Sequence, residues 1–335
     1  MLTNKNILVT GGTGSFGKKF IQMTFEKFNP NKIIVYSRDE FKQDVLKKEL
    51  AMKTPEILSN IRFFIGDVRD RERLYRAFKG VDYVIHAAAM KQVPACEYNP
   101  FEAIKTNIHG AQNVIDAALD CGVEKVVALS TDKAVNPINL YGGTKLVSDK
   151  LFISANAYSG KSGTSFSIVR YGNVAGSRGS VIPFFKGLID KGVREMPITD
   201  FDMTRFWITL DQGVELVYKA LEEAVGGETY ISKIPSFKII DLARAMLPEC
   251  GLKEVGIREG EKIHEVMVTK DDSRFTVEFD RHFIIIPHFD WWNPNKSRLT
   301  EGKKVTPGFE YTSGGNTEWL GITALQKELK KNGFC

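Results

Sequence analysis

Apolar and polar positions along the chain fall into two alternating textures. Short apolar, β-branched runs at residues 7–10, 32–36, 62–68, 81–89, 125–129 and 165–170 read as strands, the first with no alternation at all, the mark of burial on both faces. Between them, residues 18–28, 69–78, 101–119 and 145–158 read as helices. Strand and helix alternate, which predicts a doubly wound, parallel α/β sheet. The texture changes after residue 174. A Gly/Ser-rich loop at 175–183 leads to a short helix at 184–191, a strand or bridge at 203–209, helices at 211–224 and 238–246, and a charged segment at 256–265. The pattern predicts a first domain over 1–174, to which 206–237 returns, and a smaller α/β ligand-binding domain drawn mainly from 175–335. The last fifty residues, with Trp291, Trp292 and Trp319, carry no chemical signature.

Composition sets limits. The 335 residues are 43% hydrophobic and 26% charged, the balance of a soluble globular protein of about two domains. A net charge of +5 without any basic block argues against a nucleic-acid partner and suits a phosphorylated small molecule. Cys96, Cys121, Cys250 and Cys335 show no paired spacing and read as reduced thiols, with no metal site. No apolar run reaches about 18 residues, and the first six residues lack a signal-peptide core, so no membrane partner and a cytoplasmic location are expected.

Candidate chemistry gathers at strand ends. The first strand runs into Gly11-Gly-Thr-Gly14-Ser-Phe-Gly17 and then into a helix. Glycines so placed permit a tight turn, close approach of a pyrophosphate and close helix–strand packing, while the helix N-terminus offers amides to phosphate. The expected dinucleotide site comprises Gly11, Thr13, Gly14, Ser15, Phe16 and Gly17. An NAD site usually has an acid at the end of the second strand for the ribose hydroxyls. Here Ser37 and Arg38 come first, with Lys42 a turn later and Asp39 and Glu40 behind the arginine. A hydroxyl and a guanidinium suit the extra phosphate of NADP, the expected cofactor. Asp67 and Val68 end the third strand, where adenine would lie. Ala87 and Ala88 end the fourth and let a flat cofactor lie close, and Lys91 follows as a cofactor or substrate contact. His86 reads as packed.

The densest stretch follows the fifth strand: Ser130-Thr131-Asp132-Lys133, then Tyr141-Gly-Gly-Thr-Lys145. Tyr141 and Lys145 are four apart and share a helix face. A neighbouring ammonium favours phenolate, so such a tyrosine is expected to take a proton from a sugar or alcohol hydroxyl near neutral pH.

The glycine turn, the Tyr-x-x-x-Lys pair and the Ser/Thr ahead of it resemble the extended short-chain dehydrogenases/reductases, whose second, smaller domain binds nucleotide-sugars. Within that family the chain is similar to soluble, inverting 4,6-dehydratases of nucleotide-sugars over roughly residues 5–285. The likeness is densest in Ile34-Val-Tyr-Ser-Arg-Asp-Glu40, Leu129-Ser-Thr-Asp-Lys-Ala134, Arg170-Tyr-Gly-Asn-Val174 and Thr204-Arg-Phe-Trp-Ile-Thr209. The resemblance implies UDP-N-acetylglucosamine as substrate, a tightly held and recycled NADP, a homo-oligomer (dimer or hexamer) and a place in pseudaminic acid biosynthesis. It also implies roles. Tyr141, helped by Lys145, would take the proton from the hydroxyl on sugar carbon 4. Lys133 would remove the proton on carbon 5, Asp132 would protonate the hydroxyl leaving carbon 6, and Thr131 would bond the substrate near carbon 4. Leu129, Ser130, Tyr141, Lys145 and Val174 would join the cofactor contacts. Asn173, Arg178, Ser180 and Val181 fall in the implied substrate loop; Arg205 and Arg258 would face the diphosphate and Glu261 the uridine ribose. A base for carbon must be neutral, so the pKa of Lys133 is expected to be lowered by burial or cationic neighbours. Related glucose dehydratases carry Glu at the Lys133 position, and membrane-bound relatives usually carry Met at the Tyr141 position.

Two departures stand beside the likeness. Gln92 and Cys96 replace the expected His and a small or apolar residue, and Gly143 stands where Ala is usual, loosening the helix start by about 1 kcal/mol. Two other functions fit part of the pattern. A nucleotide-sugar 4-epimerase uses the same Tyr and Lys but has no use for Asp132 and Lys133. A non-catalytic NADP-binding regulator on the same fold needs neither Tyr141 nor Lys145.

Overall fold

Strands β1 (Asn6–Thr10), β2 (Lys32–Ser37), β3 (Ile61–Ile65), β4 (Tyr83–His86), β5 (Lys125–Thr131) and β6 (Ser165–Tyr171) lie parallel in the order 3-2-1-4-5-6. They belong to a computed structural model that describes residues 1–160, 163–177, 179–289, 292 and 301–334. The expected doubly wound sheet is present. One face is covered by Phe20 and Ile21 of the helix Ser15–Lys27 and by Val214, Val217 and Leu221 of the helix Leu210–Glu223. The other is covered by Leu74 and Phe78, by Val114 and Ile115, and by Phe152. Burial on both faces explains the apolar run of β1, which shows no alternation, and β4, β5 and β6 likewise bury nearly every position.

The strand order reverses between β1 and β4, and open α/β sheets bind ligands in the crevice at such a point. Thr10 shapes that crevice: its hydroxyl accepts from the amides of Ala87 (3.1 Å) and Ala88 (3.2 Å) and bonds His86 Nδ1 (2.9 Å). Two strands end sooner than their apolar runs. β3 stops at Ile65 because Gly66 turns beneath the Tyr36 ring, where a Cβ would lie 2.4 Å from the ring. β4 stops at His86, and residues 87–89 leave the sheet to line the crevice. The helix expected over 101–119 runs from Pro100 to Asp120 but contains a π turn, Lys105–His109.

Beyond β6 the sheet continues with segments from the second half of the chain. Thr229–Ser232 pairs parallel with β6, His282–Ile285 antiparallel with that, then Thr276–Glu278 and Lys303–Lys304 antiparallel in turn. The sheet has ten strands among the described residues. These late strands have four, four, three and two residues, too short to show a period. A separate core gathers Ile182, Phe185, Met203, Trp207, Leu242 and Leu325 from the helices Val181–Asp190, Ile239–Met246 and Ile322–Lys331 and their neighbours. It stands over the carboxyl ends of the parallel strands and closes the crevice into a cleft.

His86 is 1% exposed and packs against Phe152, as expected of a packed residue. Burial lowers its pKa to about 3, with the Lys145 charge adding to the effect. The unfolded imidazole titrates near 6.5, so below that pH the unfolded chain binds a proton that the folded chain refuses. His86 therefore leaves stability unchanged above pH 6.5 and erodes it as pH falls toward 3. Urea unfolding should show the wild type losing about 2 kcal/mol more than His86→Gln between pH 7 and pH 5. Equal losses would contradict a neutral buried ring.

Candidate active site

One cleft of about 1020 Å³ runs from the glycine turn, past β5, to the loop around residues 258–265. Its first half fits a dinucleotide. Gly11 has φ +67°, and a Cβ there would lie 2.9 Å from the Ala87 carbonyl oxygen. A Cβ on Gly17 would lie 2.5 Å from Gly12, so helix and turn pack through two glycines. The helix Ser15–Lys27 has no side-chain cap and no acid in its first turn, which leaves its amides and their positive partial charge for an anion. At the end of β2, Arg38 lies with Nη1 3.8 Å from Asp67 Oδ2. Asp39 also lines the cleft, as the N-cap of the next helix, Glu40–Lys53, where its carboxylate caps the Lys42 amide (2.9 Å) and pairs with Lys42 Nζ (2.5 Å).

The centre of the cleft is built by three short devices. β5 ends in a tight turn, Asp132–Ala134, whose Lys133 amide donates to Thr131 Oγ1 at 3.3 Å. The helix Leu140–Ala155 begins at Asn139, which caps the Gly142 amide (2.8 Å) and donates to the Gly260 carbonyl (2.8 Å) across the cleft. The π turn aims Asn107 at both walls: it accepts from the Met90 amide (2.8 Å) and donates to the Met90 carbonyl (2.9 Å) and Thr144 Oγ1 (3.0 Å). Such turns recur at functional sites because they redirect one side chain without ending the helix.

Lys133 reaches into the cleft and is held by three oxygens. Its Nζ lies 3.1 Å from Asp132 Oδ1, 3.2 Å from Glu265 Oε1 and 3.1 Å from Asn173 Oδ1. Asp132 is fully buried behind it, accepting from Thr131 Oγ1 (2.9 Å), with its other oxygen facing Gly172 and without a hydrogen-bond partner among the described residues. Behind Tyr141 and Lys145, Ser130 Oγ donates to Asp149 Oδ2 (2.5 Å), and Arg170 lies 4.0 Å beyond.

Electrostatics correct two expectations. Burial lowers the Lys133 pKa, but the Asp132 and Glu265 carboxylates outweigh it, so the ammonium is stabilised and the pKa raised. The cationic neighbour, Arg205, is outnumbered by the two acids. Burial pushes Tyr141 up to about 12, and the groups that oppose it are Lys133 and the Thr131 hydroxyl rather than Lys145. Burial also raises Asp132, helped by the Glu265 charge, and lowers Lys145 against the pull of Asp149.

Trp291 and Cys335 lie outside the described residues, and so, of the candidate site residues, does Arg178. Asp132 lies behind the wall, and all the others line the cleft. Thus Asn173, Ser180, Val181, Arg205, Arg258 and Glu261 share one space with the glycine turn, although they come from distant parts of the chain. Glu265 and Lys262, also in the lining, had no motif to announce them beyond a charged segment. Phe184, Phe185 and Met203 line it as well; from the sequence they belong only to a short helix and to a strand or bridge.

A family model described as "Polysaccharide biosynthesis protein" matches residues 7–287. The chain is similar to a Campylobacter jejuni protein named UDP-N-acetylglucosamine 4,6-dehydratase (inverting), 54% identical, with 98% of this chain and 97% of that one covered. It is also similar to a Rickettsia akari protein named UDP-glucose 4-epimerase, 39% identical, with 98% and 96% covered. Among solved structures, Pen from Bacillus thuringiensis matches with a TM-score of 0.89 and 38% identity over 100% of both chains.

The two glycines after Tyr141 differ in what they permit. A Cβ on Gly142 would lie 2.1 Å from the Lys133 carbonyl oxygen, whereas one on Gly143 meets nothing within 4 Å among the described residues. Gly143→Ala should raise stability by up to about 1 kcal/mol. Gly142→Ala should lower it by roughly 1–3 kcal/mol by driving the turn at Lys133 off the helix. Urea midpoints in the reverse order would contradict this packing.

Proposed function

The chain belongs to the polysaccharide biosynthesis protein family, and from that premise we propose that it is a UDP-N-acetylglucosamine 4,6-dehydratase that inverts carbon 5. The observation that carries the reading is the Asp132–Lys133 hydrogen bond of 3.1 Å, set at the cleft beside Tyr141. Loss of water across carbons 5 and 6 needs a base for a carbon-bound proton and an acid for a leaving hydroxyl, and this pair supplies both.

The cofactor we assign is NADP. Gly11, Thr13, Gly14, Ser15, Phe16 and Gly17 would hold its pyrophosphate, Asp67 and Val68 its adenine, and Ser37, Arg38 and Lys42 its extra phosphate. When bound, NADP supplies a hydride acceptor at carbon 4 and a hydride donor at carbon 6. The chain's own residues manage protons. Tyr141 takes the proton from the carbon 4 hydroxyl, with Thr131 positioning that oxygen, Lys133 and Thr131 favouring the phenolate, and Lys145 on the same helix face. Lys133 takes the proton from carbon 5, acidified by the neighbouring ketone. Asp132 supplies the proton for the hydroxyl leaving carbon 6, through the Thr131 hydroxyl that separates it from the cleft. Arg205 and Arg258 bind the diphosphate and Glu261 the ribose, with the 175–335 segment forming most of that half. The reading carries with it a homo-oligomeric, cytoplasmic enzyme of pseudaminic acid biosynthesis.

The relative named as an epimerase favours a second reading, since oxidation at carbon 4 also begins a 4-epimerisation. An epimerase returns hydride to carbon 4 and leaves Asp132 and Lys133 without work. Mass spectrometry separates the two: UDP-N-acetylglucosamine should lose one water, whereas an unchanged mass with inverted carbon 4 would favour the epimerase. Lys133→Ala should still bind the sugar nucleotide but dehydrate it roughly 10²–10⁴-fold more slowly. Unchanged turnover would remove Lys133 as the base. For the cofactor, Arg38→Ala should weaken NADP by about 1.5–3 kcal/mol, as loss of a charge-assisted hydrogen bond does, and leave NAD nearly untouched. Equal weakening of both, read by calorimetry, would contradict the assignment.

A further inference from the structure

Glu265 has no part in the steps above, yet it is 2% exposed at the centre of the site. Its Oε1 lies 3.2 Å from Lys133 Nζ and 3.6 Å from Arg205 Nε, and its Oε2 has no hydrogen-bond partner among the described residues. Its backbone is fixed twice by one residue of the C-terminal segment. The Glu265 amide donates to Ser313 Oγ (2.9 Å), and the Ser313 amide donates to the Glu265 carbonyl (2.8 Å). Ser313 Oγ in turn bonds Thr204 Oγ1 (2.7 Å), and a Cβ on Gly314 would lie 2.7 Å from the His264 ring. Burying a carboxylate is costly, and backbone pairing of Val266–Val268 with Tyr311–Thr312 joins these segments without it. Its placement points to Lys133.

We propose that Glu265 is a positioning residue for the Asp132–Lys133 pair, fixing the amine at the cleft and keeping one proton on the pair throughout the reaction. The inference rests on the dehydratase reading. At rest Lys133 is an ammonium, and Asp132 and Glu265 are carboxylates. One proton crosses the 3.1 Å bond from Lys133 to Asp132, giving a free amine and a carboxylic acid. The amine lone pair takes the carbon 5 proton, the electrons of that bond form the carbon–carbon double bond, and the carbon 6–oxygen bond breaks. The departing oxygen takes the Thr131 hydroxyl proton, which Asp132 replaces across their 2.9 Å bond. Water leaves and the cluster is back at its resting charge at the end of the elimination. As hydride returns to carbon 6, carbon 5 takes a solvent-derived proton on its opposite face and the proton held by Tyr141 returns to solvent, which closes the balance.

The groups facing Glu265 are Lys133 from the turn after β5, Arg205 from the strand Thr204–Phe206, Lys262 from its own loop, and Asp132 behind Lys133. Lys133 and Arg205 overcome the effect of burial and keep Glu265 ionised. Its fixed negative charge favours the proton on both Asp132 and Lys133, while Arg205 and Lys262 oppose it at Lys133 or Glu265. The pair holds one proton between an acid limb set by Asp132 and an alkaline limb set by Lys133. Glu265 raises both limbs, so removing its charge lowers both.

Glu265→Gln should move both limbs of the kcat–pH profile down by roughly one unit or more and slow turnover about tenfold or more. Glu265→Asp, which keeps the charge, should keep the wild-type limbs. Nitrogen NMR of lysine-labelled protein reads the same charge without turnover, the Lys133 signal being identified by its loss in Lys133→Arg. That signal should titrate at lower pH in Glu265→Gln than in wild type. Limbs that stay in place, or a Lys133 signal that titrates as in wild type, would overturn the inference whatever the fall in rate. If the wild type does not dehydrate the sugar, the dehydratase reading fails, and the NMR titration alone decides the role of Glu265.

Discussion

The site depends on one cation. Lys133 Nζ lies within 3.2 Å of Asp132, Glu265 and Asn173, which come from three separate stretches of chain. Asp132 and Glu265 are almost fully buried, and neither could be so without a charge to face. The ammonium therefore ties the end of β5, the loop after β6 and the segment before Val266–Val268 into one object. Removing it would leave two buried carboxylates facing each other, which is why its chemistry and its structural role are hard to separate by simple deletion.

Everything around this cation serves to bring those stretches together. The parallel sheet delivers β5 and β6 side by side, so that Asp132 and Asn173 emerge from neighbouring strand ends. Asn139 bridges from the Tyr141 helix to Gly260, and Lys262 Nζ donates to the Val135 carbonyl at 2.5 Å, so the charged loop is stitched to the turn it faces. Ser313 then pins Glu265 from the far end of the chain. Low dielectric in such a setting strengthens each charge interaction and makes an unpaired one expensive, so the cluster is a well-defined arrangement rather than a solvated patch.

The sheet and the glycine turn were legible because their signals are local: an apolar strand, a turn only glycine can make, and a helix. Tyr141 and Lys145 were legible for the same reason, four residues apart on one helix. Glu265 was not, since nothing in its own neighbourhood distinguishes a buried partner of Lys133 from a solvated acid. Its role appears only once the strand Val266–Val268 pairs with Tyr311–Thr312 and carries it beneath the cleft. The charge state of Lys133 was misread for a related reason. Burial does lower it, but the two acids that reverse the sign include one brought in from 132 positions along the chain. Short late strands such as Lys303–Lys304 left no period to read and are visible only as partners of longer ones.

In the proposed reaction, oxidation, elimination and re-reduction occur in this one cleft, with Lys133 as the base at carbon 5. Proton NMR of UDP-N-acetylglucosamine incubated with the protein in heavy water, with and without added NADP, addresses it directly. A new methyl signal, deuterium at carbon 5 and inverted configuration there are expected. A sugar left unaltered under both conditions, or a methyl formed with carbon 5 uninverted, would contradict that reaction.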